Sequence, residues 1–201
     1  MTVIKDTGQR ALPPPFTEEH EELRQSLRRF VRAEIAPHVE EWEEAREFPR
    51  ELFTRCGELG FLGLKYPEAL GAVGAMQRLL EVAIDYAKER EAFGRPIGRF
   101  QAIRHKIAEI SIKAEVAKAL TYNALRLFHD GIDVVKEVTQ AKLYSQRACV
   151  EVADEVIQIH GGYGYMREYG VERAYRDARL GPIGGGTDEI MREILGKQLG
   201  L

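Results

Sequence analysis

The segment Arg90-Glu91-Ala92-Phe93-Gly94-Arg95-Pro96-Ile97-Gly98 interrupts an otherwise helical run, which resumes at once with Phe100 and Gln101. Proline cannot donate the helical hydrogen bond, and it biases the residue before it away from helical backbone angles. Two long amphipathic segments must therefore turn back on each other at this corner. Upstream, Val73, Met76, Leu80, Ala83, Ile84 and Ala87 recur at helical spacing, with Gln77, Arg78, Glu81, Asp85 and Lys88 on the opposite side. Downstream, Phe100, Ile103, Ile107, Ile110, Ala114, Ala117, Thr121, Ala124 and Phe128 keep that period up to Gly131, a run of about seven to eight turns. A third run carries Val134, Val138, Ala141, Ser145, Ala148, Val152, Val156 and Ile159 and ends at Gly161 and Gly162. Three long helices joined by tight turns, with small residues at many facing positions, predict close antiparallel packing in a bundle.

Before these helices, residues 1–16 read as a poorly ordered lead ending in Pro13, Pro14 and Pro15. Thr17 is suited to cap a helix carrying Leu23, Leu27, Phe30, Val31 and Ile35 on one stripe, with Glu18 and Glu19 where the helix dipole favours acids. Pro37 predicts a kink, with Val39 and Trp42 continuing the buried face. Pro49 fits the first turn of a shorter helix bearing Leu52, Phe53, Cys56 and Leu59 and closed by Gly60; residues 61–67 are apolar but irregular, as in a loop. A short helix over Glu172 to Ala178 and a final one over Asp188 to Gln198, capped by Thr187, complete the chain. Alternating stretches are short and glycine-broken, so no strand is expected. The fold class is all-α, a helical bundle. The expected organisation is a lead over 1–16, an N-terminal helical segment over 17–68 and a C-terminal bundle over 69–201.

A chain of 201 residues with 44% hydrophobic residues can bury a substantial core. Its formal net charge of -3 provides no global field for nucleic acid or an acidic membrane. Arg24, Arg28, Arg29 and Arg32 are followed by Glu40, Glu41, Glu43 and Glu44, which reads as a solvated, charge-segregated helix. Cys56 and Cys149 are too few for a disulfide framework and read as buried thiols. With no apolar signal region and no membrane-length run, the expected location is cytoplasmic.

Chemistry concentrates in the corner, in Gln158-Ile159-His160-Gly161-Gly162-Tyr163-Gly164-Tyr165, and in Gly184-Gly185-Gly186-Thr187-Asp188-Glu189-Ile190. Each glycine set has an ordinary reading as helix capping, and a ligand reading in which bare backbone approaches an anion. Helical bundles host di-iron sites through Glu-x-x-His pairs, but none of His20, His38, His105, His129 and His160 has a Glu three residues before it, so no metal is expected. No Walker loop, Rossmann fingerprint or glycine-framed nucleophilic serine is present.

Taken together and in order, Tyr86 to Ile97 with Phe100-Gln101, Gln158 to Tyr165, Arg176-Asp177-Ala178-Arg179 and Ile183 to Ile190 resemble the acyl-CoA dehydrogenase family. The resemblance runs from about Gly71 to the C-terminus and, separately, from Phe16 to about Glu68. It implies a flavoprotein whose C-terminal four-helix bundle mediates dimer and tetramer contacts. It further implies that Arg90, Phe93 and Gln101, with the stretch Gln158, Ile159, His160, Gly161 and Gly162, hold the adenine and diphosphate end of FAD, commonly that of a neighbouring subunit. Thr187 and Glu189 would flank the cofactor on the other side. Implied partners are an acyl-CoA substrate, an electron-transfer flavoprotein, and further copies of the chain in a homodimer or homotetramer.

The chain departs from the family pattern twice. Members carry further N-terminal helices and a middle β-barrel domain between the regions represented by Glu68 and Gly71, so the junction near Tyr66 to Gly71 resembles a splice. Many members place the catalytic Glu two residues before the Thr of the final glycine motif, where this chain has Gly185. Members with glycine there use a Glu at the start of the helix leading into the corner, a position that aligns with Leu64, beside a basic contact at Lys65. Glu68, one helical turn on, is the candidate base, set against an ordinary solvated acid at a helix start. Two readings stand: an acyl-CoA dehydrogenase-type flavoenzyme in shortened form, and a helical oligomerisation or binding module without redox chemistry.

Overall fold

The structure, a computed structural model, describes residues 16–59, 61 and 68–201, with Glu68 described by its backbone alone. The expected lead up to Pro15, the Gly60 cap, the loop over 62–67, Leu64, Lys65 and the first part of the junction lie outside the described residues. The chain divides into two compact units, residues 1–65 and 66–201.

In the first unit, α1 spans Glu18–Phe30. The Thr17 backbone N–H donates to His20 Nδ1 at 3.2 Å, so an imidazole does the work usually given to an acid three residues into a helix. The proline effect at Pro37 is visible as a change of winding: a π turn over Val31–Ile35, closed by Ala36 N–H to the Val31 carbonyl, then a 3-10 turn over Ala36–His38. Helices α2, Val39–Ala45, and α3, Glu51–Glu58, follow. Pro49 lies before α3 rather than in its first turn, and its carbonyl accepts from Leu52 N–H at 3.1 Å. Burial is shallow. Phe30 is the buried hydrophobic among the described residues here, against the Phe61 ring at 5.4 Å, whereas Val31, expected on the stripe, is exposed and Val39 and Trp42 are only half-buried. Arg55 joins the segments, donating to Glu34 at 3.0 Å and to Glu58 at 3.2 Å.

The second unit is built on α4, Glu68–Glu89, α5, Gln101–His129, and α6, Val135–His160, all mutually packed. Met76 from α4, Ile110 and Ala117 from α5, and Val152, Ala153 and Val156 from α6 meet in a core from which water is excluded. The small residues expected on facing stripes are there, as are Ala72 and Leu79, which the periodicity had not included. Phe128 and Val138 fall where the helix ends leave the core and are exposed. Gly131, at φ 76°, lets α5 stop, and Ile132 N–H reaches back to the Leu127 carbonyl at 3.0 Å. On α6 pack α8, Val171–Ala178, and α9, Asp188–Gln198, with the one-turn α7, Gly162–Tyr165, between α6 and α8 in sequence.

The fold is an all-α bundle with one local exception. The corner is a β-hairpin in miniature: β1, Glu91–Ala92, pairs antiparallel with β2, Arg95–Pro96. Phe93 and Gly94 occupy its turn at φ 52° and 75°, both left-handed, as a two-residue turn matching strand twist requires. The segment is too short to show alternation in the sequence, which is why no strand is legible there.

Candidate functional site

The hairpin leads straight back into α5 through a 3-10 turn, Ile97–Arg99. That return passes so close to α4 that a Cβ on Gly98 would lie 2.9 Å from the Ala87 carbonyl oxygen, so glycine is required. Phe93 is held out at 96% exposure in a backbone conformation that costs a non-glycine residue about 1–2 kcal/mol. Arg95 lies over the Phe100 ring, 4.2 Å from its centroid, and stiffens the base of the hairpin. Gln101, the first residue of α5, is exposed, with its amide 3.4 Å from His105 Nε2.

The C-terminal end of α6 meets this corner. His160 is buried and stacks on Tyr86 at 3.9 Å; its Nδ1 lies 2.8 Å from the Val156 carbonyl, which makes Nδ1 the protonated nitrogen of a neutral ring. Burial holds the imidazole below its ordinary pKa and raises the Tyr86 phenol, whose hydroxyl donates to the His160 carbonyl at 3.3 Å. After Gly161, at φ 61°, the chain doubles back so tightly that a Cβ on Gly164 would sit 2.6 Å from the Ile157 carbonyl oxygen. Arg90 lies over the Tyr163 ring at 5.1 Å. Arg90, Gly161, Gly162, Tyr163 and Met166 line one shallow pocket of about 500 Å³ with Tyr86 and His160. A Cβ on Gly161 or Gly162 would meet nothing within 4 Å, so the space beside that backbone is open.

A second, larger cleft of about 870 Å³ lies among α4, α6, α8 and the glycine loop. Gly71 and Leu79 line it from α4, Gln146 and Cys149 from α6, Arg173 and Asp177 from α8, and Gly184 and Gly185 from the loop. Burial pushes the Cys149 thiol up to about 11, which keeps it protonated and unreactive. Thr187 caps α9, its hydroxyl accepting from Ile190 N–H at 3.4 Å. Glu189 is exposed, and its own backbone N–H and the Thr187 hydroxyl hold its carboxyl below the ordinary range.

Two family models match these regions: the acyl-CoA dehydrogenase C-terminal domain over residues 67–200 and the acyl-CoA dehydrogenase N-terminal domain over residues 17–97. The chain belongs to the acyl-CoA dehydrogenase family. It is 42% identical over 142 residues to a caffeyl-CoA reductase-Etf complex subunit of Acetobacterium woodii, covering 71% of this chain and 36% of that protein. It is 45% identical over 131 residues to an acyl-CoA dehydrogenase of Bacillus subtilis, covering 65% and 35%. Among solved structures, a probable acyl-CoA dehydrogenase from Mycobacterium abscessus superposes with TM-score 0.64 at 46% identity, over 65% of this chain and 35% of that one. Butyryl-CoA dehydrogenase from Megasphaera elsdenii superposes with TM-score 0.65 at 34% identity, over 66% and 35%. The chain thus spans about a third of the length of the relatives it matches. The two family-model matches overlap, leaving no residues between them, and the described residues contain no β-barrel.

In this acyl-CoA dehydrogenase homologue the structure gathers Arg90, Gly161 and Gly162 into one pocket and leaves Phe93, Gln101 and Gln158 exposed. Thr187 and Glu189 belong to a different level of α6: Asp188 between them pairs with Arg147, which lies about 16 Å along the helix from Gln158. Gly185, where many family members carry their base, lines the large cleft, and so does Gly71 near the start of α4. Glu68 opens α4 less than one turn before Gly71, and only its backbone is described. Asp177 is the carboxylate lining the cleft among the described residues.

Two residues that build these sites were missed in the sequence. Tyr86 forms the pocket floor with His160, and its signal was available, because it falls in phase with the buried stripe of α4. Lys142 is buried and donates to the carbonyls of Gly184, Gly185 and Gly186 at 2.9, 2.5 and 2.7 Å; its signal was a lysine on an otherwise apolar face between Ala141 and Ser145. Among the described residues no group of His, Cys, Asp and Glu is arranged to hold a metal ion, and no helix is long and apolar enough to cross a membrane.

Proposed function

We propose that this chain is the flavin-gripping helical part of an acyl-CoA dehydrogenase-type flavoprotein that oxidises an acyl-CoA thioester at its α,β-carbons. The observation that carries this reading is the pocket shared by Arg90, Gly161 and Gly162. A guanidinium beside backbone free of side chains suits the diphosphate of FAD, since Arg offers paired donors and the glycines allow close approach. Phe93 offers an exposed ring face for the adenine, and the Gln101 and Gln158 amides offer donors and acceptors around it. FAD, when bound, supplies the hydride acceptor. Thr187 and Glu189, at a different level of α6, would face the other side of the cofactor, or the cofactor of a second copy in a homodimer or homotetramer. The large cleft is the proposed place for the acyl thioester, an electron-transfer flavoprotein the proposed acceptor, and the cytoplasm the proposed location.

Removing the α-proton requires a carboxylate. Gly185 has none to give, and Glu68 is the proposed base. The same glycine in the cleft wall favours a second reading, a helical oligomerisation or binding module without redox chemistry. The readings part on one experiment. Incubated with FAD and passed through gel filtration, the protein should elute yellow; a colourless protein overturns the flavoenzyme reading. Anaerobic addition of an acyl-CoA should bleach the flavin if the chain is catalytic, and Glu68→Gln should abolish bleaching while leaving the colour. Yellow protein that acyl-CoA does not bleach supports the binding module.

A further inference from the structure

The glycine loop between α8 and α9 is wrapped around a positive charge. Lys142 is 8% exposed in the third turn of α6, and its ammonium donates to three consecutive carbonyl oxygens, at 2.9 Å to Gly184, 2.5 Å to Gly185 and 2.7 Å to Gly186. An ammonium has three donors, and this loop provides an acceptor for each. Such a turn needs glycine: Gly185 is at φ 58° and Gly186 at φ 99°, and a Cβ on Gly186 would lie 2.7 Å from Met191 Cε. The Asp188 N–H bond to the Pro182 carbonyl at 3.1 Å closes the loop, and the Arg147–Asp188 pair ties its far end to α6.

The grip has a geometric consequence. In a trans peptide the carbonyl and the following N–H point in opposite directions. With the carbonyls of 184, 185 and 186 drawn to Lys142, the N–H groups of Gly185, Gly186 and Thr187 are turned away from it. None of these three donates to a backbone carbonyl among the described residues. Gly184 and Gly185 also line the large cleft. Successive free N–H groups on a turn form a concavity that favours an anion or a polarised carbonyl oxygen.

We propose that Lys142 is a positioning residue: its ammonium serves as a built-in cation that orders the glycine loop and so aims the N–H groups of 185–187 outward at a ligand acceptor atom. The positioning role stands on the loop geometry alone; the identity of the ligand as an acyl thioester rests on the function proposed above. The role belongs to the ammonium rather than to the bulk of the side chain, and the test separates the two.

Lys142→Ala removes a fragment that n-propylammonium replaces atom for atom. Backbone 15N order parameters at 185–187 should fall in Lys142→Ala, from the rigid range of about 0.85 to below about 0.6. n-Propylammonium chloride should reverse it, and tetramethylammonium chloride, which has no N–H, should not. Unchanged order parameters, or equal action of the two salts, overturns the proposal. Should Lys142→Ala fail to fold, the wild-type protein decides: couplings across hydrogen bonds from Lys142 Nζ to all three carbonyl carbons support the role, and their absence refutes it. Acetyl-CoA titration completes the set. If acetyl-CoA shifts the 185–187 amides of the wild-type protein, Lys142→Ala should lose that response and n-propylammonium restore it, and a response that survives in Lys142→Ala contradicts the aiming. No shift in the wild-type protein removes the thioester reading of the cleft, while the order parameters still rule on Lys142.

Discussion

At its C-terminal end α6 carries Gly161 and Gly162 on an aromatic floor of Tyr86, His160, Tyr163 and Tyr169. In its N-terminal half, the same helix holds Gly184, Gly185 and Gly186 by the Lys142 ammonium and anchors Asp188 through Arg147. Both segments use glycine to let backbone come close, but the holding forces differ. Stacking and burial fix the corner, which leaves its cation, Arg90, at the surface for a ligand. Charge fixes the loop, whose cation is spent internally, so what it can offer a ligand is backbone N–H. An anionic group such as a diphosphate therefore suits the corner, and a single acceptor oxygen suits the loop.

This difference can be broken or sharpened by substitution. The largest effect is expected at Gly164→Ala, where the added methyl cannot coexist with the Ile157 carbonyl 2.6 Å away. Thermal unfolding should show a loss of about 3 kcal/mol, since overpacking against backbone cannot relax cheaply. A loss below about 1 kcal/mol would mean that the doubling back after α6 is not rigid. Next, Arg147→Met leaves the Asp188 carboxylate, 4% exposed, with Arg192 at 3.8 Å as its remaining basic partner in that ion-pair set. The expected cost is about 2 kcal/mol by denaturant unfolding, with faster exchange in α9 and none in the corner.

Phe93→Gly should act in the opposite direction. Relief of the left-handed conformation stabilises the fold by about 1 kcal/mol, while FAD affinity falls. A variant that is both less stable and equally tight would show that Phe93 serves the hairpin and not a ligand. The last is a pH effect. Burial holds His160 neutral below its ordinary pKa of 6.5, so the unfolded chain takes up a proton that the folded one refuses. The stability contributed by the neutral ring is complete above pH 6.5 and is lost as pH falls from there through the lowered native value. Melting temperature against pH should therefore slope less on the acid side in His160→Phe, which keeps the stack on Tyr86, and parallel curves would contradict the buried, neutral assignment.

Much of this was legible beforehand, for physical reasons. The stripes of α4, α5 and α6 follow directly from period, because long helices sample many turns and a single misplaced residue such as Phe128 does not disturb the pattern. The caps at Thr17 and Thr187 were readable because capping is local. What escaped was non-local or compensated. The hairpin was hidden because two residues cannot show alternation, and the Phe93 conformation runs against its residue type. Pro49 displaced the start of α3 by two residues, since a proline fits a preceding turn as well as a first one. Lys142 escaped because its partners are carbonyls 42 to 44 residues away, and no side-chain pattern encodes them. In the N-terminal unit, Leu23 and Leu27 were correctly placed on one stripe but are only half-buried; pattern fixes a face, not the depth at which it is buried.

The central claim is that the corner formed by Arg90, Gly161 and Gly162 grips the adenine and diphosphate end of FAD. Competition dialysis tests it most directly: FAD bound to the purified protein is challenged with ADP, which carries only that end, and with riboflavin, which carries only the other. ADP should displace FAD, riboflavin should not, and Arg90→Ala should weaken FAD about tenfold to a hundredfold, as expected for losing a charge-assisted contact to phosphate. Displacement by riboflavin as effective as by ADP, or FAD binding indifferent to Arg90→Ala, would contradict the account.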